Sequence, residues 1–137
     1  MFCSVIIPTI NRPVLERAVY SVLHQEFPVD EFEIIVVNDT GITLSEMEWQ
    51  RSPKVQVITT QRRERSVARN TGAAVARGKY LYFLDDDDIM LPGALQIFWN
   101  LAQDSDAGWL YGGYQLVDND GKVFEEFRPE IAGNISA

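Results

Sequence analysis

The sequence has a single cysteine and no surplus of basic residues, and both shortages exclude whole classes of protein. With only Cys3 among its 137 residues, the chain cannot form an intramolecular disulfide. A lone cysteine at the start of an apolar run is expected to be a small core residue in a reducing compartment. The 12 basic and 20 acidic residues give a net charge of −8, which argues against a nucleic-acid-binding surface.

Long apolar runs and a signal sequence are also missing. No hydrophobic stretch approaches the ~20 residues that a bilayer span requires, and the N-terminus lacks the basic segment of a signal peptide. We therefore expect a cytoplasmic protein, while peripheral membrane association through another segment or a partner stays open. No glycine-rich loop ending in Gly-Lys-Ser/Thr occurs, so a P-loop kinase is excluded.

What the sequence does contain is a series of short apolar runs separated by helical patterns. The runs are rich in Val and Ile on both faces, which is typical of parallel strands covered on both sides. They are Cys3–Pro8, Phe32–Val37, Val55–Thr60 and Tyr80–Leu84. The alternation predicts an α/β fold with a mostly parallel central sheet flanked by helices.

Helices are predicted between these strands because apolar residues recur there at intervals of three and four. The first follows Pro13, with Asn11 as its cap. A short second helix is expected over Leu44–Gln50, and a fourth opens at Pro92. The third is expected over Ser66–Arg77.

The third helix is expected to end at Gly78. Its apolar face is predicted to consist of Val67, Thr71, Ala74 and Val75. Beyond the fourth helix, Trp109–Val117 and Val123–Phe127 are predicted to be the strands of a C-terminal β-hairpin around an Asp-Asn-Asp-Gly turn.

We expect one domain over residues 1–137. Within it, about 1–105 would form the parallel α/β core and 106–130 a hairpin. Glu130 to Ala137 read as irregular, as in a chain whose continuation is missing. An incomplete fold would expose an apolar edge after Phe127, which favours a homodimer.

Polar residues follow each of the four predicted parallel strands. They are Pro8-Thr9, Asn38-Asp39, the cluster Arg62, Arg63 and Arg65, and the run Asp85–Asp88. In an open parallel sheet, ligands bind outside the carboxyl ends of the strands. The sequence therefore predicts a polar cleft that carries charges of both signs.

Four consecutive aspartates are destabilising unless something offsets their repulsion, which is ~3 kcal/mol per pair at ~5 Å and an effective dielectric constant of ~20. The offset is exposure to water, capping of the helix after Pro92, or a bound cation. Mg²⁺ and Mn²⁺ are commonly shared between carboxylates and a substrate's phosphates, and arginines bind phosphate oxygens as well. A solvated acidic loop is the alternative to a metal site.

The stretches SVIIPTINRP, FEIIVVND and SVARNTGAAVARGKYLYFLDDDD, in this order, resemble the N-terminal half of family 2 glycosyltransferases. The resemblance covers roughly residues 3 to 118. It implies a Rossmann-like GT-A fold and inverting transfer of a sugar from a nucleoside-diphosphate sugar, of the UDP type, to an acceptor hydroxyl. It also implies a requirement for Mn²⁺ or Mg²⁺.

The resemblance implies a set of nucleotide-binding residues: Pro8, Thr9, Asn11, Asp39, Arg65, Arg69, Asp85 and Asp86. Pro8 and Thr9 would line the base, and Asp39 would form a hydrogen bond to it. Arg69 would lie near the phosphates. Asp87 would bind the metal directly, while Asp85 would bind the ribose or the metal and its water.

Some features depart from the family pattern. Asn38 stands where an aspartate is more usual and Ile10 where tyrosine is, which leaves the base preference open. The family's catalytic base is a carboxylate in the acceptor half, so the base is unassigned here and the acceptor is unknown. A non-catalytic nucleotide-sugar-binding domain is therefore the alternative function. A response-regulator-like domain is disfavoured, because the first strand ends in Pro-Thr and not in an acidic pair.

Overall fold

The computed structural model describes residues 1–61 and 64–129 of the chain. Its strands are β1 (Cys3–Thr9), β2 (Phe32–Asn38), β3 (Val55–Thr59), β4 (Tyr80–Phe83), β5 (Tyr114–Val117) and β6 (Val123–Phe127). Its helices are α1 (Leu15–Leu23), α2 (Arg65–Val75) and α3 (Ala94–Gln103), with a short 3₁₀ helix at Glu48–Arg51. The chain divides into two compact units, Met1–Gln96 and Ile97–Ala137.

The first unit is built on a four-stranded sheet in the order β3-β2-β1-β4, and all its pairings are parallel. The two central strands, β1 and β2, are buried along their whole length. The outer strands β3 and β4, which each have a neighbour on one side only, contain no fully buried residue. The predicted parallel α/β architecture is confirmed.

Helix α2 packs on one face of this sheet through small residues. Its buried positions are Ala68 and Gly72, and Ala68 joins a core cluster with Ile6, Ile35 and Val37. A Cβ atom at Gly72 would lie 2.5 Å from Cγ2 of Ile6, so this position admits only glycine at the present spacing. The predicted apolar face of Val67, Thr71, Ala74 and Val75 therefore misses both buried positions.

Of the predicted face, Val67 and Thr71 are half-buried, whereas Ala74 is exposed and Val75 is 40% exposed. Helix α2 also ends at Val75, two residues before the predicted end. Gly78 does not terminate it. An added Cβ at Gly78 would stand 2.4 Å from the backbone nitrogen of Ser4, so this glycine permits close approach to β1.

Two further predictions need correction at the ends of elements. Helix α1 begins at Leu15 after Val14, so Asn11 is too far upstream to cap it. Asn11 instead has a left-handed backbone (φ 63°) in the loop that follows β1. The predicted second helix is only the 3₁₀ turn Glu48–Arg51.

The second unit contains the antiparallel pair β5 and β6, and every residue of these strands is exposed. The predicted hairpin is present, but β5 begins at Tyr114 and not at Trp109. Gly113, just before β5, approaches the partner strand so closely that its Cβ would lie 2.5 Å from the carbonyl oxygen of Phe127. The predicted irregular segment Glu130–Ala137 lies outside the described residues.

A buried carboxylate closes the amino end of the sheet. Glu33, on β2, accepts hydrogen bonds from the Ser4 hydroxyl at 2.6 Å and from the backbone N–H of Arg77 at 2.8 Å. The guanidinium of Arg77 donates two more, at 2.9 and 2.6 Å. Burial acts to raise the pKa of Glu33, but these hydrogen bonds and the charge of Arg77 outweigh it and lower the pKa below its ordinary value.

None of the helices in the described part of the chain is long and apolar enough to cross a bilayer.

Replacing Gly78 with alanine is expected to lower the free energy of unfolding by about 2–3 kcal/mol, because the new methyl group would meet the backbone of Cys3 and Ser4. Urea denaturation of the two proteins measures the difference. Gly108→Ala is the matched control, since a Cβ there meets nothing within 4 Å. Equal stabilities for Gly78→Ala and the parent would refute the close approach.

Replacing Glu33 with glutamine is expected to lower the free energy of unfolding by about 2 kcal/mol at pH 7, because charge-assisted hydrogen bonds are lost. The folded pKa of Glu33 lies below its ordinary value of 4.5. Its stabilisation is therefore fully present above pH 4.5 and is lost as the pH falls through the folded pKa.

Denaturation of Glu33→Gln and the parent between pH 2 and 7 should thus give curves that converge in acid. Glu46→Gln is the control, because Glu46 pairs with Arg51 on the surface, where its side chain is 74% exposed. That variant should change stability by less than about 0.5 kcal/mol. If the difference in the free energy of unfolding between Glu33→Gln and the parent did not shrink in acid, the lowered pKa of Glu33 would be contradicted.

Candidate nucleotide and metal site

A cleft of about 290 Å³ lies where the carboxyl ends of β1, β2 and β4 meet. Because these strands are parallel neighbours, the residues that follow them converge at one edge of the sheet. Six of the predicted nucleotide-binding residues line the cleft: Pro8, Thr9, Asp39, Arg65, Asp85 and Asp86. Ile10, Arg12 and Ala68 also line it and were not among the predicted site residues.

Thr9 connects the loops that surround the cleft. It is buried at the end of β1, and its hydroxyl donates a 2.6 Å hydrogen bond to Asp86. The same oxygen accepts the backbone N–H of Asn11 at 2.9 Å, while the carbonyl of Thr9 accepts the N–H of Asp39 at 2.9 Å. Thr9 therefore fixes the ends of β1 and β2 and the aspartate loop relative to each other.

Asp86 is a buried member of the aspartate run, with a side chain 3% exposed. Besides the Thr9 hydroxyl, it accepts Nε of Arg12 at 2.9 Å and a second, short hydrogen bond from the same guanidinium. These hydrogen bonds with Asp86 are the main reason that the pKa of Arg12 is raised. A buried carboxylate needs such partners, because desolvation without them is strongly unfavourable.

Asp85 is paired with a second arginine. Arg69, on α2, donates from a terminal nitrogen to Asp85 at 2.6 Å, and both side chains are about one-third exposed (35% and 33%). The Nε atom of Arg69 is buried and has no hydrogen-bond partner among the described residues. Arg69 thus holds Asp85 at the cleft although it does not itself line it.

Asp85, Asp87 and Asp88 each offer an oxygen atom, and the three oxygens lie within 4.8 Å of one another. The Asp86–Asp87 turn that brings them together is closed by a 3.0 Å hydrogen bond from the N–H of Asp88 to the carbonyl of Asp85. Burial, followed by repulsion from Asp87 and Asp85, raises the pKa of Asp88. The geometry therefore collects the carboxylates in one place and leaves part of their repulsion uncompensated.

Asp39 is buried beside the start of α2. Its two carboxylate oxygens accept the hydroxyl of Thr60 and the backbone N–H of Glu64, the residue that precedes the helix. A carboxylate in this position also interacts favourably with the positive end of the helix dipole. Arg65, the first residue of α2, forms no ion pair with the described residues and is exposed.

Asn38, which stands where an aspartate is more usual in the family, has a structural role. It is fully buried, donates to the carbonyl of Ile42 at 2.6 Å and accepts the hydroxyl of Thr40 at 2.8 Å. An amide can do both, whereas an ionised aspartate cannot donate. Asn38 therefore shapes the loop after β2 and is not among the residues that line the cleft.

The remaining predicted residues lie around this cleft in different ways. Asn11 does not line it, although its backbone N–H holds the Thr9 hydroxyl. Asp87 is 51% exposed and pairs with Arg12 at 3.1 Å. Arg62 and Arg63, predicted as part of a basic cluster, lie outside the described residues.

Arg12 is the charged cleft residue that sequence reasoning missed. It follows β1 by three positions, so the rule that placed Thr9 at the cleft edge also applied to it. A second signal was the need of four adjacent aspartates for counter-ions on neighbouring loops. The arginines after β3 and Arg69 were expected to bind phosphate. The pairing of Arg12 and Arg69 with the aspartate run was not foreseen.

Solved structures with a similar fold include glycosyltransferases. TarS of S. aureus, residues 1–349, gives a TM-score of 0.68 at 24% identity and covers 76% of this chain and 33% of its own. Its complex with UDP-GlcNAc gives a TM-score of 0.64. The mannosyltransferase PcManGT of Pyrobaculum calidifontis, in complex with GDP-Man and Mn²⁺, gives 0.58 at 21% identity over 74% of this chain and 31% of its own. These likenesses confirm the predicted GT-A fold.

Relatives by sequence include the poly(ribitol-phosphate) beta-N-acetylglucosaminyltransferase TarP of Staphylococcus aureus, which is 31% identical over 117 residues. That match covers 81% of this chain and 36% of TarP, so the chain spans about a third of that relative's length. The family model described as "Glycosyl transferase family 2" matches residues 4–130. The resemblance in the motifs is therefore confirmed, and the chain belongs to glycosyl transferase family 2.

Proposed function

We propose that this chain is the donor-binding part of a glycosyltransferase that moves a sugar from a UDP-sugar to an acceptor hydroxyl, with inversion and with the help of a divalent cation. The observation that carries the proposal is the cleft itself. Buried acceptors, exposed carboxylates and arginines occupy one edge of a parallel sheet, where such folds bind their ligands.

The nucleoside is proposed to lie along the end of β1 and the start of α2. Pro8, Thr9 and Asp39 line this part of the cleft, and the volume of about 290 Å³ is close to the low end of small-molecule pockets. Each oxygen of Asp39 accepts one hydrogen bond from the protein and retains a second lone pair. Asp39 can therefore accept a further hydrogen bond from a base.

The diphosphate is proposed to lie toward Arg65 and Arg69. Arg65 lines the cleft and forms no ion pair with the residues that the structure describes, so its charge is available to an anion. Arg69 carries a buried nitrogen that lacks a partner in the same residues. Guanidinium groups match the geometry of phosphate oxygens, which makes this side of the cleft suited to the leaving group.

A divalent cation is proposed to bind Asp87 and Asp85, and the donor atoms fit it. Three carboxylate oxygens within 4.8 Å of one another are hard ligands of the kind that Mg²⁺ and Mn²⁺ prefer. Around the cleft, the described residues include five carboxylates, those of Asp39 and Asp85–Asp88, and three guanidinium groups, those of Arg12, Arg65 and Arg69. Among these described residues, negative charge is therefore in excess. When bound, such an ion stabilises the negative charge that develops on the departing diphosphate.

The comparisons support the donor class. The TarS structure contains UDP-GlcNAc, and the PcManGT structure contains GDP-Man with Mn²⁺. A nucleoside-diphosphate sugar is common to both. We favour UDP because TarP and TarS both resemble this chain, and TarS is the one solved with a UDP-sugar.

The base that deprotonates the acceptor is not assigned to any residue of this chain. Asp118 accepts backbone N–H groups in the hairpin turn, and Glu126 is bound by Gln115 and Arg128. Both are explained by the second unit's own structure. We further propose that residues 1–105 form the donor-binding core and that 106–130 begin the acceptor region.

Calorimetric titration of UDP into the purified chain, first with Mn²⁺ and then with EDTA, tests the proposal. Binding is expected with Mn²⁺ and should weaken at least about tenfold in EDTA. Asp87→Asn should cause a loss of similar size with Mn²⁺ present, because a carboxylate that carries metal charge is removed. If EDTA did not change UDP binding, the assignment of the metal site would be wrong. If a folded sample did not bind UDP at all, the assignment of the nucleotide site would be wrong.

Asp30→Asn is the matched control for that experiment. Asp30 is exposed and precedes β2, so it lies at the amino end of the sheet, away from the cleft. Its loss changes the net charge by the same amount as Asp87→Asn. If both variants weakened UDP binding equally, the effect would reflect overall charge, and the assignment of Asp87 would be wrong.

A further inference from the structure

Arg12 makes two contacts of different character with the aspartate run. Its Nε and one terminal nitrogen donate to Asp86, whose side chain is 3% exposed. Its other terminal nitrogen donates to Asp87 at 3.1 Å, and that side chain is 51% exposed. The guanidinium thus joins a buried carboxylate to a solvent-exposed one.

The two contacts differ in strength for a physical reason. Breaking the pair with Asp86 would leave a buried charge without its partner, which is strongly unfavourable. The pair with Asp87 is exposed to water, and pairs of that kind contribute little. Arg12 is therefore held in place by Asp86, while its contact with Asp87 is easily exchanged.

Asp87 is also the residue to which the proposed function assigns the cation. A guanidinium and a divalent cation that approach the same carboxylate repel each other and share its negative charge. Arg12 lines the cleft as well, so a terminal nitrogen released from Asp87 remains at the cleft edge. An anion bound there would be a new acceptor for it.

We propose that Arg12 is an exchangeable counter-ion: held by Asp86, it pairs with Asp87 in the free protein and transfers that contact to the nucleotide's diphosphate when a cation occupies Asp87. This inference rests on the proposed function, because it requires both ligands. It assigns to Arg12 a positioning role that couples the two binding events.

The exchange has a thermodynamic consequence. A cation that binds alone must displace Arg12 from Asp87, and a nucleotide that binds alone must compete with Asp87 for Arg12. Each ligand removes the obstacle to the other, so the two bind with positive coupling, and the coupling is reciprocal. Arg12 should therefore oppose binding of the cation alone and favour binding of the nucleotide with the cation.

Arg12→Gln tests the proposal because it should change two affinities in opposite directions. Titration of Mn²⁺ alone should show binding about two- to fivefold tighter than in the parent, since an exposed ion pair no longer competes. Titration of UDP in saturating Mn²⁺ should show binding about tenfold weaker, since a charged hydrogen bond to phosphate is lost. A residue that only maintains the fold would weaken both.

Arg51→Gln is the matched control, because Arg51 pairs with Glu46 on the surface with its side chain 73% exposed. It should leave both affinities unchanged. Arg12→Lys protects the test against a folding failure, since lysine keeps a cation beside Asp86 but lacks the fork that reaches two carboxylates. It should also bind Mn²⁺ alone more tightly than the parent and UDP with Mn²⁺ more weakly.

The outcomes separate this inference from the proposed function. If the parent shows no Mn²⁺-dependent UDP binding, both the proposed function and the exchange of Arg12 are refuted. If the parent binds both ligands but Mn²⁺ binds the folded Arg12 variants no more tightly, only the exchange is refuted. Opposite shifts in the two affinities, absent in Arg51→Gln, would support it.

Discussion

The buried carboxylate of Asp86 is the interaction on which the cleft depends. It is held by the hydroxyl of Thr9 and the guanidinium of Arg12, residues more than 70 positions away in the chain. A charge in this position is stable only with such partners, so the loop after β4 has to lie against the loop after β1. Asp85, Asp87 and Asp88 then converge because they are neighbours of Asp86 in the chain and Asp86 is held in place.

Carboxylates lie at both ends of the sheet, but they are paired with cationic groups to different extents. At the amino end, Glu33 has every partner it requires, and Ser4, Arg77 and Gly78 close around it. The charge of Glu33 is therefore paired within the protein, and Gly78 lies close against β1. At the carboxyl end, carboxylates outnumber the described arginines around the cleft. Among the described residues, this end of the sheet therefore carries a net negative charge.

Much of the first unit followed from local patterns. Continuous Val- and Ile-rich runs identify strands buried on both faces, and β1 and β2 are such strands. Helix α2 was located but its face was not, because Ala68 and Gly72 carry too little apolar surface to stand out in a sequence. Their small size matters only once β1 lies against the helix. Asn11 was misassigned for a related reason: a residue suited to capping also suits a left-handed loop.

Local patterns in the sequence specify the strands, their parallel direction in one sheet and the family, since apolar periodicity and contiguous motifs are local properties of a chain. They also indicate that Thr9, Asp39 and the aspartate run would meet at one edge, because parallel strands end on the same side. Which charge pairs with which follows from the folded structure alone. Arg12 pairs with Asp86 and Asp87, Arg69 pairs with Asp85, and Arg77 pairs with Glu33. Coulombic attraction depends on distance in space, and no pattern of neighbouring residues encodes the separation of side chains that the fold brings together.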